Sequence, residues 1–123
     1  SMSFTGAQYA NVPASTDFNI GTGDYTVEWF QKMQSDANNS WPRVFAAGTN
    51  SSVSLGVSIE GGTFYAWENY GWRLSASLSS CNYSGVWAHM ALVRQSGTLA
   101  IFCGGTRLAT GADHRGDRQC AQR

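Results

Sequence analysis

The sequence has no excess of charge and few charged residues of any kind. Eight basic and eight acidic side chains cancel, and charged residues make up only 13% of the 123 residues. Seven of the eight basic residues are arginines, but they are scattered and form no positively charged stripe. Proteins that bind nucleic acid or anionic membranes carry such a stripe, so the sequence argues against both partners.

Long hydrophobic runs are also absent. No apolar stretch approaches the roughly 20 residues that a membrane-spanning helix requires. No segment of ten or more residues shows convincing helical periodicity. The 123 residues suit one compact domain, because a chain of this length buries enough surface for a core of its own.

Cysteine is scarce, and its three copies, Cys81, Cys103 and Cys120, form an odd set. One disulfide with one free thiol is compatible with the sequence, and so are three free thiols. The spacing matches no zinc-binding pattern. The cysteines therefore leave the redox compartment of the protein open.

Alternating apolar residues are the dominant pattern in the chain, as expected for β-strands. The predicted strands cover residues 25–33, 54–60, 63–68, 72–78, 87–94, 98–103 and 106–110. Turn-forming residues separate several of them, at Gly61-Gly62, Asn69-Tyr70-Gly71, Gln95-Ser96-Gly97 and Gly104-Gly105. Short strands joined by short turns predict an all-β, antiparallel sandwich or barrel.

Two separated blocks resemble laminin G-like domains of the concanavalin A-like lectin/glucanase superfamily. Residues 3–32, SFTGAQYANVPASTDFNIGTGDYTVEWFQK, are similar to the opening of those domains. Residues 85–105, GVWAHMALVRQSGTLAIFCGG, are similar to a later signature, W-x-H-V/M-A-L-V-R. The resemblance covers about residues 1–110 and implies a jelly-roll sandwich of two antiparallel sheets. It also implies that Trp87 fills the core between the sheets and that the ring of His89 is satisfied locally on its strand.

The resemblance ends near Gly111. The usual C-terminal strand of the family, with the pattern F-x-G-x-I-D-E-V/L-R, has no counterpart in the polar, Arg-rich residues 112–123. We therefore expect a domain over residues 1–111, followed by a poorly ordered or truncated tail. A missing strand would leave sheet edges open, which predicts a homo-oligomer in which a second copy completes an edge.

The residues that glycoside hydrolysis would require are missing. That reaction needs two carboxyl groups ~5–9 Å apart, and the glucanases of the resembled superfamily carry them as alternating acids on one strand. None of the three glutamates, Glu28, Glu60 and Glu68, has an acid two residues away. His89 sits in the middle of a predicted strand, where a structural role is favoured over that of a catalytic base. We therefore predict that the protein is not an enzyme.

Calcium is left open as a cofactor. Laminin G-type and related lectin domains often hold Ca²⁺ at a rim, and oxygen ligands are available here on Asp36, Asn38, Asn39, Asn50, Asp113 and Asp117. These residues are not clustered at a fixed spacing, and Asp and Asn in loops are turn formers by default. We name no calcium ligand.

Carbohydrate binding is the function that the resemblance implies, and the hairpin FYAWENYGWR (64–73) is the best candidate patch. Aromatic rings can stack on sugar faces while a few polar side chains bond the hydroxyls. The candidate residues are Trp67, Glu68, Asn69, Tyr70, Trp72, Arg73 and, in another loop, Trp41. The alternative is that Trp67 and Trp72 are cross-strand partners that pack inward.

These observations predict a non-catalytic recognition module that binds a glycan or a glycoprotein surface. It would belong to a larger extracellular, cell-surface or virion-surface protein. The alternative is a structural or assembly domain that makes protein–protein contacts and binds no small ligand. A degenerate hydrolase is a third and less favoured interpretation.

Overall fold

The computed structural model describes residues 2–3, 10–13, 23–33, 43–49, 52–68 and 71–112. These residues form eight β-strands and contain no helix. In chain order the strands are β1 (Tyr25–Lys32), β2 (Arg43–Thr49), β3 (Ser52–Glu60), β4 (Thr63–Glu68), β5 (Gly71–Ser77), β6 (Trp87–Gln95), β7 (Thr98–Cys103) and β8 (Thr106–Ala112).

The strands form two antiparallel sheets of four strands each. The first sheet has the order β1-β6-β7-β8 and the second has the order β2-β3-β4-β5. In the first sheet, β1 pairs with β6 over its whole length, from Tyr25 opposite Arg94 to Lys32 opposite Trp87. The prediction of an all-β fold with two antiparallel sheets is confirmed.

Three of the predicted turns are two-residue hairpin loops with positive φ at both positions. Gly61-Gly62 joins β3 to β4, Ser96-Gly97 joins β6 to β7, and Gly104-Gly105 joins β7 to β8. This backbone conformation matches the right-handed twist of the flanking strands, and glycine adopts it without the steric cost of a Cβ atom. Ser96, at φ 50°, is the one residue of the six that is not glycine.

Strand β2 was not expected from the sequence. Its residues, RVFAAGT, combine small side chains with two register irregularities against β3, one between Arg43 and Phe45 and one between Ala47 and Gly48. Each irregularity interrupts the alternation of inward and outward positions. The pairing with β3 identifies this strand, because the period-two pattern alone is too weak.

The core lies between the two sheets. Inward positions on the first sheet alternate with outward ones, as shown by the half-buried and exposed residues that alternate along β1. The fully buried side chains come from both sheets and include Leu55, Val57, Ile59, Phe64, Met90, Leu92, Leu99 and Ile101. Trp29 of β1 packs against two rings of the second sheet, with ring centroids 5.5 Å from Phe45 and 6.0 Å from Phe64. These contacts hold the sheets face to face.

The expected core position of Trp87 is wrong. Trp87 is 59% exposed, whereas Ala88, Met90 and Leu92 of the same strand are buried against the second sheet. Successive residues of a strand point to opposite faces, so only one of the two sets can face the core. The aliphatic set does so, and Trp87 lies with His89 on the outer face of the first sheet.

The connection between β5 and β6 is attached to both sheets. The Leu78 amide donates to the Gly62 carbonyl over 2.8 Å, and the Gly85 amide donates to the Met33 carbonyl over 2.5 Å. A disulfide joins Cys81 of this connection to Cys103 at the end of β7. One of the two cysteine arrangements left open by the sequence is therefore realised, while Cys120 lies outside the described residues.

Within the described strands, β1 and β8 lie at the edges of the first sheet, and β2 and β5 lie at those of the second. Strands β5 and β8 approach closely, since a Cβ atom added to Gly111 would lie 3.0 Å from Cδ1 of Leu74. Strand β8 ends at Ala112, and residues 113–123 lie outside the described part. The predicted tail and the predicted homo-oligomer both stay predictions.

No helix in the described part of the chain combines the length and the apolar character that crossing a membrane would take.

Candidate functional site

The structure describes only part of the predicted sugar-binding hairpin. Trp67 lies on β4 and is described in full, whereas the side chains of Glu68, Trp72 and Arg73 lie outside what the structure describes. Asn69, Tyr70 and Trp41 lie outside the described residues altogether. Their role in binding stays a prediction.

Trp67 and Trp72 are cross-strand partners, which is the pairing, though not the inward packing, of one sequence alternative. Trp67 also lies opposite Gly56 of β3, on the face of the second sheet that points away from the core. Phe64 and Ala66 of the same strand belong to the hydrophobic core cluster, whereas Trp67 does not. Trp67 is therefore half-buried on an outer face rather than packed between the sheets.

A more exposed aromatic surface lies on the outer face of the first sheet. We call it the aromatic strip, and it consists of Glu28, Phe30 and Lys32 of β1 with Trp87 and His89 of β6. Phe30 is 69% exposed and Trp87 is 59% exposed. The β1–β6 register places Phe30 opposite His89 and Lys32 opposite Trp87, so the five side chains share one face.

His89 contacts two neighbours within the strip. Its ring centroid lies 5.0 Å from that of Phe30, with the ring planes tilted by 53°. Its Nε2 atom lies 3.6 Å from Oε2 of Glu28, a distance that gives an ion pair when the imidazole is protonated. These contacts agree with the expectation of a locally satisfied ring, although the ring lies on the outer face and not in the core.

The aromatic strip is supported by regular secondary structure. Its residues belong to two strands that pair at every position from Tyr25 to Lys32. The inward neighbours of the strip, Trp29 and Met90, belong to the core or pack on it. Pairing fixes the backbone beneath these side chains, so ligand binding would have to order the side chains but not the strands.

Sequence reasoning missed the binding potential of this surface, although β1 contains a signal for it. The outward positions of β1 are Thr26, Glu28, Phe30 and Lys32, so one aromatic residue stands among polar ones. A single exposed apolar side chain is common on folded proteins, and Phe30 becomes informative because Trp87 of β6 is exposed on the same face.

The described residues contain no group of three or more His, Cys, Asp and Glu side chains arranged to hold a metal ion. The loop residues considered for calcium all lie outside the described part: Asp36, Asn38, Asn39, Asn50, Asp113 and Asp117. Calcium binding therefore stays an open expectation.

The described residues form a two-sheet antiparallel β-sandwich with exposed aromatic residues on one outer face. Residues 4–121 match a laminin G-type family, described as the concanavalin A-like lectin/glucanases superfamily, and the chain belongs to this family. The resemblance seen in the sequence is thereby confirmed. Members of the superfamily often bind carbohydrates or proteins. Comparisons with curated proteins and with solved structures found no match.

Proposed function

We propose that the protein is a non-catalytic recognition module that binds carbohydrate through the aromatic strip. The observation that carries this proposal is the exposure of Phe30 and Trp87 on one face of the first sheet. Carbon-bound hydrogens make one face of many pyranose rings apolar, and that face can stack on an aromatic ring. The polar groups of Glu28, Lys32 and His89 lie around the two rings, where they can bond sugar hydroxyls.

The aromatic strip supports this proposal better than the β4–β5 hairpin does. Trp67, the one candidate aromatic of the hairpin whose side chain the structure describes, is half-buried. Trp87 offers more ring surface to a ligand because more than half of its side chain is in contact with solvent. We retain the hairpin as a separate prediction that the same experiment tests.

The non-catalytic part of the proposal rests on the arrangement of charges. Glycoside hydrolysis uses a pair of carboxyl groups, one of them held protonated in an apolar environment. Glu28 is the one carboxyl group of the aromatic strip, and it lies on an open outer face beside His89. This surface can bind a sugar but does not provide the two acids that would cleave it.

We also propose an extracellular, cell-surface or virion-surface location. The Cys81–Cys103 disulfide supports it, because structural disulfides form and persist in oxidising environments and are rare in the reducing cytosol. A larger surface protein that contains this domain would place the aromatic strip where glycans are present.

A glycan array followed by titration calorimetry tests the binding proposal. The variants Trp87→Ala and Phe30→Ala should each lower the affinity for a bound glycan by about tenfold or more, as expected when a central aromatic contact is lost. Val44→Ala is the matched control, because Val44 is an exposed apolar residue on β2 of the other sheet. It should leave affinity unchanged. Trp67→Ala separates the two surfaces, since a selective loss in that variant would assign binding to the hairpin.

The assembly alternative makes a different prediction for the same proteins. An exposed aromatic patch also suits a protein partner. If the folded wild-type chain binds no glycan and self-associates with rising concentration, and if Trp87→Ala abolishes that association, the carbohydrate proposal is wrong. Multi-angle light scattering measures the association directly.

A further inference from the structure

We propose that the aromatic strip selects acidic glycans, and that Lys32 binds the anionic group of the ligand, a carboxylate or a sulfate. This inference rests on the proposed function and names the class of its ligand. It depends on the positive charge of Lys32 beside Trp87. The aromatic rings by themselves would not favour an acidic ligand over a neutral one.

Lys32 lies directly opposite Trp87 in the β1–β6 register, so both side chains leave the same face of the sheet. It is exposed at the end of β1 and forms no ion pair with any residue that the structure describes. Lysine combines a flexible stem with a compact charge, so its ammonium group can follow a ligand bound on the neighbouring ring.

The acidic residue of the strip does not neutralise Lys32. Glu28 lies four residues away along β1, which corresponds to about 13 Å on an extended strand. Its carboxylate is next to His89, at 3.6 Å, on the far side of Phe30. A pair of opposite charges so far apart on an exposed surface interacts weakly in water at physiological salt.

The other strands of the first sheet add no acidic residue to this face. Strands β6, β7 and β8 contain no aspartate or glutamate, whereas β8 contributes the exposed Arg107. Among the residues that the structure describes, the Lys32 end of the strip therefore combines an exposed ring with a positive charge that no nearby carboxylate offsets. That combination is complementary to a sugar ring with an anionic substituent.

Two matched pairs of oligosaccharides test the inference by calorimetry. The first pair is a β-1,4-linked glucuronate hexamer and its carboxyl-reduced counterpart, cellohexaose. The second pair is a sulfated galactan oligomer and its desulfated form. The wild-type protein should bind at least one acidic oligomer about fivefold more tightly than its neutral partner at low salt. This preference should shrink at about 0.5 M salt, because exposed charges are screened.

Variants assign the preference to Lys32. Lys32→Gln should remove the fivefold preference because the anionic group of the ligand loses its charged partner, while Lys32→Arg should retain the preference. Arg107→Gln is the matched control. It also removes one positive charge, but from β8, which is separated by β7 from the strand that carries Trp87. It should change the preference by less than about twofold. All variants alter exposed residues, and thermal unfolding verifies that each is folded.

The outcomes separate this inference from the proposed function. Equal binding of acidic and neutral partners, with Trp87→Ala still reducing both, overturns the acidic preference and retains the carbohydrate proposal. A preference that survives Lys32→Gln, or that Arg107→Gln removes equally, also overturns the role of Lys32. If Trp87→Ala binds both the acidic and the neutral oligosaccharide as tightly as the wild-type protein does, the proposed function itself is wrong.

Discussion

Phe30 on β1 lies directly opposite His89 on β6, and their ring centroids are 5.0 Å apart on the outer face of the first sheet. The contact extends the aromatic surface from one strand to the next, and Oε2 of Glu28 lies 3.6 Å from Nε2 of the imidazole. Because both residues belong to paired strands, the β1–β6 pairing fixes the backbone beneath the aromatic strip.

The outward position of Trp87 predicts unequal stability effects along β6. Trp87→Ala should change the free energy of unfolding by less than about 0.5 kcal/mol, because the side chain is mostly exposed. Met90→Ala should cost about 2–5 kcal/mol, because Met90 is fully buried between the sheets. Denaturant titration measures both. Equal losses of unfolding free energy in the two variants would contradict the exposed position of Trp87.

The disulfide is expected to contribute to stability. Cys81 and Cys103 are 22 residues apart, and closing a loop of this size stabilises a folded chain by about 3 kcal/mol. The double variant Cys81→Ala/Cys103→Ala should lose about this amount in a denaturant titration without reductant.

Cys120 provides the control for that prediction. Cys120→Ser should leave stability unchanged, and alkylation without reduction should label a single cysteine of the wild-type chain by mass spectrometry. Labelling of all three cysteines, or a loss of stability in Cys120→Ser, would contradict the Cys81–Cys103 pairing.

The turn between β6 and β7 predicts opposite effects at adjacent positions. Ser96 has φ 50°, a conformation that disfavours residues with a Cβ atom. Ser96→Gly should therefore raise stability by up to about 1 kcal/mol, although the added freedom of the unfolded chain offsets part of the gain. Gly97→Ala, at φ 79°, should cost about 1 kcal/mol or more. Melting temperatures that move in the same direction would argue against this turn.

Asp24 stabilises the same turn from a distance of 72 residues in sequence. Its Oδ1 atom accepts a hydrogen bond of 2.9 Å from the Ser96 amide. Asp24→Ala should cost about 1 kcal/mol, whereas Asp24→Asn should cost less because the amide oxygen still accepts the bond. Unfolding titrations of the two variants compare them directly, and equal losses would mean that the hydrogen bond contributes nothing.

Much of the strand organisation follows from local sequence. The seven predicted strands all exist, and the bounds of β4 (Thr63–Glu68) and β7 (Thr98–Cys103) agree with those predicted. Gly61-Gly62 and Gly104-Gly105 ended the strands where expected. These features depend on a residue and its neighbours, so a local pattern is sufficient to predict them.

The candidate site was less predictable. A hairpin rich in aromatic residues favoured Trp67 and Tyr70, yet the exposed rings that the structure describes are Phe30 and Trp87. Phe30 and Trp87 are 57 positions apart in sequence, and pairing between β1 and β6 makes them neighbours. No local pattern in the sequence predicts that contact.

The sequence by itself determined the alternation of side chains, the positions of most turns and the family to which the chain belongs. Only the tertiary structure decided that Met90 faces inward and Trp87 outward, and that Cys103 pairs with Cys81. Strand β6 is apolar on both faces, so a period of two sorts its residues into two sets without choosing between them. The choice requires a second sheet, because only packing against it makes one set the core and leaves the other on the outer face.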